Sequence, residues 1–128
     1  EMLGALTLAN RILGFVNAPA LMQRVVAQLQ EVAVDSSIYA KRLEAFCPVL
    51  DDAGISYVRP KGAFYLFPKS PLADDVQFCD LLKEEKILAV PGRGFGLPGH
   101  FRLAFCVDER VIRASAQAFK NAVKAARK

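Results

Sequence analysis

The chain has 128 residues, of which 53% are hydrophobic and 23% are charged, and its formal net charge at pH 7 is +4. This length and composition fit one compact domain with a sizeable apolar core. The basic residues are scattered except near the C-terminus, and the aromatic residues lie in apolar runs. This pattern argues against the basic, aromatic-lined groove of a nucleic-acid-binding protein.

Metal, disulfide and membrane chemistry also have little support in the sequence. Cys47, Cys79 and Cys106 are widely spaced and lie in apolar surroundings, which is typical of reduced core residues in an intracellular protein. With a single histidine, His100, and no close Cys or His pair, a zinc site is not expected. No signal peptide and no run of about 18 apolar residues is visible, so we predict a cytoplasmic protein without a membrane span.

The first third of the chain has the apolar spacing of helices. The positions that predict the first helix are Leu3, Leu6, Leu8, Ile12 and Leu13. A second helix is expected to start with Asn17 near its cap and Pro19 in its first turn. The apolar pattern over residues 21–50 predicts further helix, which ends near Gly54 because glycine readily takes the left-handed conformation there. The helices over residues 3–29 lack packing partners, so we expect them to drive self-association.

The middle of the chain contains candidate strands. Residues 55–59 and 63–67 are predicted strands, and the Pro-Lys-Gly sequence at 60–62 predicts the turn of a hairpin between them. A brief strand is predicted over residues 87–90. It leads into the glycine-rich segment 91–99, which comes just before the last predicted strand.

Two further helices complete the prediction. Asp74 is expected to cap the first, with Gln77 at its third position, and Asp108 to cap the second. Their apolar sides are Phe78, Leu81 and Leu82 in the first helix, and Ile112, Ala116, Phe119 and Val123 in the second. The predicted fold is therefore α/β, with N-terminal helices followed by a small mixed sheet that helices cover.

An arginine lies inside the apolar run 101–107, which has the composition of a buried strand. Alternation places Phe101, Leu103, Phe105 and Val107 on one face and Arg102, Ala104 and Cys106 on the other. A guanidinium in such a place needs an anion, because its charge cannot be lost. The anion is either the carboxylate of a ligand or an internal Asp or Glu, and spacing alone leaves both open.

The glycine-rich loop at 92–96 lacks the spacing of a nucleotide fingerprint and leads into a strand. It is either a plain turn or a close backbone approach to a ligand. His100 has the strand parity of Arg102, so it could polarise a ligand, but a lone histidine at a strand entrance is more often a surface or core residue. The carboxylates at predicted helix ends are interpreted as capping or solvated groups. They are Asp51, Asp52, Asp74, Asp75, Glu84 and Glu85.

Several segments, in this order, resemble the C-terminal part of class I/II, fold type I pyridoxal-phosphate-dependent aminotransferases of the aspartate aminotransferase kind. They are GI to KGAFY over 54–65, AVPG to FG over 89–96, and GHFRLAF over 99–105. Upstream, segment 9–19 resembles the end of the large domain of these enzymes. The resemblance covers essentially the whole chain, and its specificity lies in the order and spacing of the segments.

The resemblance implies a role for several residues and a domain organisation. Arg102 matches the arginine that binds the substrate α-carboxylate, and Gly94 and Phe95 match the substrate loop. Residues 1–33 match the helical tail of the large domain and the start of the linker helix. Residues 34–128 match the C-terminal small domain.

The resemblance also implies a cofactor, a reaction and partners. The cofactor is pyridoxal 5'-phosphate, the reaction is amino transfer between an α-amino acid and a 2-oxo acid, and the assembly is a homodimer. The Schiff-base lysine and the phosphate-binding groups are expected upstream of Glu1, since Lys61 and Lys69 lack the matching context. We therefore predict a C-terminal piece that needs the rest of the large domain and is inactive alone. A C–S lyase of the same fold and a non-catalytic carboxylate-binding or interaction module remain alternatives.

Overall fold

The computed structural model describes residues 1–13 and 19–127, so the predicted cap at Asn17 lies outside the described residues. The chain divides into two compact units, Glu1–Val34 and Asp35–Lys128. The described residues form six α-helices and three short strands. None of the helices found in them is long and apolar enough to cross a membrane.

The described part of the first unit contains two helices with exposed apolar side chains. Helix α1 covers Met2–Ile12 and helix α2 covers Ala20–Ala27, so both predicted helices are confirmed. Pro19, predicted in the first turn of the second helix, is instead its N-cap residue, with a ψ of 136°. No residue of either helix is buried among the described residues. Leu3 is 82% exposed and Leu21 is 72% exposed, so these side chains have no core within the described structure.

The apolar pattern over 21–50 does not form one helix. Helix α2 stops at Ala27 and helix α3 begins at Ser37 and runs to Ala53. The Asp35 carboxylate accepts a hydrogen bond from the backbone N–H of Ser37 at 2.9 Å, a local turn that competes with helix propagation. The predicted end is confirmed, because Gly54 follows the helix in the left-handed conformation with φ 70°.

Three further helices lie in the second unit, and their predicted caps are confirmed. Helix α4 covers Asp75–Glu84, and the Asp74 carboxylate accepts hydrogen bonds from the backbone N–H groups of its first turn. Helix α5 covers Glu109–Ala114 after the cap Asp108. Helix α6 covers Ala116–Ala126, so the predicted last helix is interrupted at one residue. That residue is Ser115, whose hydroxyl donates to a carbonyl of α5 at 2.6 Å.

The sheet has three antiparallel strands in the order β1-β3-β2. Strand β1 is Tyr65–Leu66, β2 is Val90–Pro91 and β3 is Phe101–Ala104. The α/β class is confirmed, but the sheet of the described residues is antiparallel and not mixed as predicted, because β1 and β2 both run opposite to β3. The predicted strand at 87–90 is displaced toward its C-terminal end, since only Val90 of that segment lies in β2.

The predicted hairpin is wrong. Residues 55–59 form no strand, and β1 pairs with β3 instead, in the register Tyr65↔Ala104. Segment 55–59 is hydrogen-bonded to a residue beyond the predicted hairpin, since the Ser56 carbonyl accepts a hydrogen bond from the backbone N–H of Lys69 at 2.8 Å. Ala63 has a φ of 59°, so the chain enters β1 through a left-handed residue and not through a regular two-strand turn.

Helices α3, α4 and α6 enclose a core on one face of the sheet. Phe78 of α4 contacts Phe101 of β3 edge to face, with ring centroids 5.1 Å apart, and Phe46 meets Phe119 at 5.8 Å. Each fully buried Phe or Leu side chain stabilises the fold by about 1.5–3 kcal/mol. Leu50 of α3 belongs to the same buried cluster, so helices and sheet share one core.

The alternation predicted for the arginine strand is confirmed over its length. Phe101, Leu103 and Phe105 are buried. Regular strand ends at Ala104, however, and Val107, predicted on the same face, is 46% exposed.

The cysteine prediction is correct for two of three residues. Cys47 and Cys79 are buried, and Cys106 is exposed because it has the parity of the outer face and lies beyond the strand end.

Candidate functional site

The open face of the sheet carries the candidate site. Tyr65 pairs with Ala104, and the isolated pair Lys69↔His100 keeps the same register. In this register Phe67 lies opposite Arg102. Side chains alternate, so these residues share the face that points away from the core.

Arg102 lies between two aromatic rings on this face. Its guanidinium carbon is 4.5 Å from the centre of the Tyr65 ring and 4.4 Å from the centre of the Phe95 ring. Both distances are within the range of a cation–π interaction. The rings are partly exposed, at 37% for Tyr65 and 49% for Phe95, so the site is open to solvent.

The charge of Arg102 is not neutralised inside the described part of the chain. Among residues 1–13 and 19–127, no Asp or Glu side chain forms an ion pair with it, and its guanidinium has no hydrogen-bond acceptor. Its N–H groups, which lie along the planar edge of the guanidinium, are thus left without an acceptor among the described residues. That edge matches the two oxygens of a carboxylate.

The glycine-rich loop brings Phe95 to this place. Residues Gly92–Phe95 form one 3₁₀ helix, and the backbone N–H of Gly92 donates to the carbonyl of His100 at 2.8 Å. A Cβ atom on Gly92 would lie 2.4 Å from the Leu97 carbonyl oxygen and 2.7 Å from that of His100. Only glycine allows this close approach. The loop is thus a tight turn that also supplies one ring of the candidate site.

A buried carboxylate holds the loop from behind. Asp75, the first residue of α4, is fully buried. It accepts hydrogen bonds from the backbone N–H of Arg93 at 2.8 Å and from the Arg93 Nε at 2.9 Å. The Asp74 carboxylate accepts from the Arg93 Nη2 at 2.5 Å. The interpretation of Asp75 as a capping or solvated group is wrong, because Asp75 is buried and pairs with Arg93. Nothing local in the sequence links it to an arginine in the loop.

The electrostatics of Asp75 follow from this pairing. Hydrogen bonds from the Arg93 side chain, and then from its backbone N–H, lower the pKa of Asp75 from 3.8 to about 2. Burial acts in the opposite direction and raises the pKa, but it is the weaker influence. Asp75 is therefore ionised at neutral pH although it has no contact with solvent.

His100 shares the face of Arg102, as predicted, but its ring is engaged by protein groups. It stacks on Phe67 with ring centroids 6.2 Å apart, and Phe67 meets Phe95 edge to face at 5.9 Å. The Nδ1 atom lies 3.3 Å from the carbonyl oxygen of Pro98. His100, Phe67 and Phe95 thus form a continuous aromatic cluster beside Arg102. The sequence indicated two of its members, Phe95 and His100, and gave no role to Phe67 or Tyr65.

A family model described as aminotransferase class I and II matches residues 7–119. The chain belongs to this family. Enzymes of the family use pyridoxal phosphate, which an enzyme lysine holds as a Schiff base. In this aminotransferase chain Lys61 and Lys69 are exposed, and their ammonium groups have no hydrogen-bond or ion-pair partner among the described residues. Neither fits a cofactor-holding role, and we assign no such residue here.

The match to individual relatives covers only part of the length of each relative. The aspartate aminotransferase of Thermotoga maritima is 40% identical over 94 residues, which are 69% of this aminotransferase chain and 25% of the relative. That of Bacillus subtilis is 36% identical over 97 residues, with shares of 70% and 23%. The chain thus spans about a quarter of the length of these curated relatives.

Solved aminotransferase structures share the fold. A crystal structure of an aminotransferase from Eubacterium rectale superposes with a TM-score of 0.80 at 37% identity, covering 94% of this chain and 30% of that one. Aspartate aminotransferase from Thermus thermophilus with maleate gives a TM-score of 0.64 at 30% identity, with coverages of 67% and 23%.

Proposed function

We propose that this chain is the C-terminal part of an aminotransferase that acts on an α-amino acid and a 2-oxo acid, and that it supplies the arginine for the substrate α-carboxylate. Residues 1–33 then belong to the helical tail of the large domain and the start of the linker helix, and residues 34–128 form the small domain. The observation that carries the proposal is Arg102, held between Tyr65 and Phe95 with no internal anion among the described residues.

The chain's own contribution to the reaction is orientation. A carboxylate that binds the edge of Arg102 through two parallel hydrogen bonds is fixed in distance and in plane, which also sets the position of its α-carbon. Pyridoxal phosphate, when bound to the whole enzyme, supplies the electron sink for the chemistry at that carbon. Binding and orientation are the roles we assign to Arg102, Tyr65 and Phe95.

The wider proposals follow the family. The names of the matched relatives support an amino acid such as aspartate as substrate. A homodimer is proposed from the family resemblance, and the cytoplasm from the cysteine pattern of the sequence. The matched relatives are aminotransferases, and no observation favours the C–S lyase or the non-catalytic module.

The role of Arg102 can be tested on the 128-residue chain with succinate as a carboxylate probe. We expect succinate to shift the NMR resonance of the Arg102 Nε–H, and Arg102→Ala to weaken binding about 10- to 100-fold, because charge-assisted hydrogen bonds are lost. Arg113→Ala is the matched control, since Arg113 is an exposed arginine that pairs only with Glu109 among the described residues. Equal affinities for wild type and Arg102→Ala would contradict the proposal.

The isolated chain is expected to show no transamination, because neither Lys61 nor Lys69 has a setting that fits the Schiff-base role. The measurement is turnover with pyridoxal phosphate, an amino acid and a 2-oxo acid. Borohydride trapping and mass spectrometry then locate any adduct. A stoichiometric adduct at one lysine would show that the chain holds its own cofactor.

A further inference from the structure

We propose that the buried Asp75 and its partner Arg93 are positioning residues, which place Phe95 over Arg102 and thereby orient the guanidinium edge. The inference rests on the proposed carboxylate-binding role of Arg102 for its functional meaning. The contacts through which the pair determines the position of Phe95 do not involve a bound carboxylate.

Phe95 needs to be held by something outside its own turn. Its neighbours are Gly94 and Gly96, and Gly96 has a left-handed φ of 75°. Glycines on both sides give the backbone freedom that other residues would remove. The ring is 49% exposed, so its packing alone is a weak constraint. A segment of this kind adopts one position only where neighbouring residues are fixed.

Arg93 is the fixed neighbour. It lies two residues before Phe95, and Asp75 binds both its backbone N–H and its side chain. The Arg93 Nη2 atom is 2.8 Å from Asp75 and 2.5 Å from Asp74. Main chain and side chain of one loop residue are thus tied to the first turn of a single helix.

Helix α4 is a rigid support for this contact. Its Phe78 and Leu82 are fully buried in the core, and Phe78 packs on Phe101 of β3. Phe101 precedes Arg102 in the chain. The same helix therefore supports the strand that carries the guanidinium and the loop that carries the ring.

The two rings beside Arg102 are held in different ways. Tyr65 lies in β1 and is placed by the ladder to β3, whereas Phe95 lies outside the sheet. Loss of the Asp75–Arg93 contact should release Phe95 and leave Tyr65 in place. Arg102 would then keep one ring, and its edge would sample more orientations. The pKa of Asp75, which Arg93 lowers, is consistent with a strong contact.

The experiment compares Arg93→Gln, Asp75→Asn and Phe95→Leu in the 128-residue chain by NMR. The first readout is the chemical shift of the Arg102 Nε–H without ligand, because the guanidinium carbon next to it is 4.4 Å from the centre of the Phe95 ring, within reach of the ring current. We expect Arg93→Gln and Asp75→Asn to move this resonance toward its position in Phe95→Leu. A purely structural effect on stability would leave the resonance of the folded protein where it is in wild type.

The second readout is the affinity for succinate. A cation–π contact at an exposed site restricts the free side chain by no more than its own strength, so we expect its loss to weaken succinate binding at most about two- to fivefold. Arg113→Gln is the matched control, because it removes an arginine that pairs with Glu109 away from the loop. The Arg93 side chain is half exposed, so Arg93→Gln decides the question even where Asp75→Asn does not fold.

The outcomes separate the two proposals. A wild-type Arg102 Nε–H shift in Arg93→Gln, with a displaced shift in Phe95→Leu, would overturn the positioning role. Equal succinate affinities for wild type and Arg102→Ala would overturn the proposed function instead, whatever the position of Phe95.

Discussion

Asp75 shows how a single buried charge is retained in this fold. A carboxylate without solvent is costly unless hydrogen bonds replace its hydration. Arg93 supplies these bonds from its backbone and its side chain, and Asp74 shares the far end of the same guanidinium. The charge of Asp75 therefore contributes to stability only while it is ionised.

This pairing predicts an acid-dependent stability. The pKa of Asp75 is lowered from 3.8 to about 2 by folding, so its contribution is complete above the unfolded-state pKa. It is lost as the pH falls through the folded-state pKa. We expect the difference in free energy of unfolding between wild type and Asp75→Asn to be constant near neutral pH and to shrink between about pH 4 and pH 2.

The measurement is urea denaturation followed by circular dichroism over that pH range. Asp52→Asn is the control, because Asp52 pairs with Lys120 at an exposed position and should show a much smaller pH-dependent difference. A difference for Asp75→Asn that stays constant down to pH 2 would contradict the interpretation.

At the scale of the elements, the glycine-rich loop makes the sharpest prediction. Gly92→Ala should destabilise the protein by about 1–3 kcal/mol, because the new Cβ would overlap two backbone carbonyls that cannot move independently of the sheet. Gly94→Ala is the matched variant in the same loop, since a Cβ there meets nothing within 4 Å of the described structure. Thermal unfolding of both variants is the measurement. Equal melting temperatures for the two variants would show that the loop rearranges to accommodate a Cβ atom at residue 92, and would contradict the prediction.

The elements also show which structural information is local in the sequence. The caps Asp74 and Asp108 and the stop at Gly54 depend on residues within one turn, and all three were predicted correctly. The hairpin prediction failed because β1 pairs with β3, a choice made by the whole sheet. Local sequence favours the nearest strand as a partner, but the core determines the actual one.

The candidate site follows the same division. Arg102 was identifiable because a cation in an apolar run conflicts with its surroundings. Phe95 was identifiable because its loop resembles the substrate loop of class I/II aminotransferases. The contact between Asp75 and Arg93 joins residues 18 positions apart on a helix and a loop, and no periodicity relates them. A contact of this kind can be identified only from the folded structure.

For the whole molecule, the contrast between the two units is the dominant feature. In the second unit, the core residues of the helices and sheet are almost fully buried. In the first unit, the apolar residues that the structure describes are exposed. They include Met2, Leu3, Leu6, Leu8, Ile12, Leu13, Leu21 and Met22. Exposed apolar surface on this scale is typical of a surface that another polypeptide covers.

We therefore expect the 128-residue chain to self-associate and a chain of residues 35–128 to be monomeric. The physical reason is that removing residues 1–34 removes the exposed helices but none of the clustered core residues of the second unit. Analytical ultracentrifugation over a range of concentrations is the measurement, with near-ultraviolet circular dichroism to check that the shorter chain is folded.

A second pair of variants tests the cause of association. Leu3→Lys with Leu21→Lys should reduce it in the 128-residue chain, whereas the exposed control Val58→Lys, in the second unit, should not. Monomeric behaviour of the unmodified chain at every concentration would contradict the prediction.

The two rings beside Arg102 have a consequence for the thermodynamics of binding. A free arginine side chain loses about 2 kcal/mol of rotamer entropy when a ligand fixes it. In this chain Tyr65 and Phe95 restrict the side chain before any ligand arrives. A carboxylate therefore meets a rotamer that is selected in advance, and little of its intrinsic binding energy is spent on ordering the arginine.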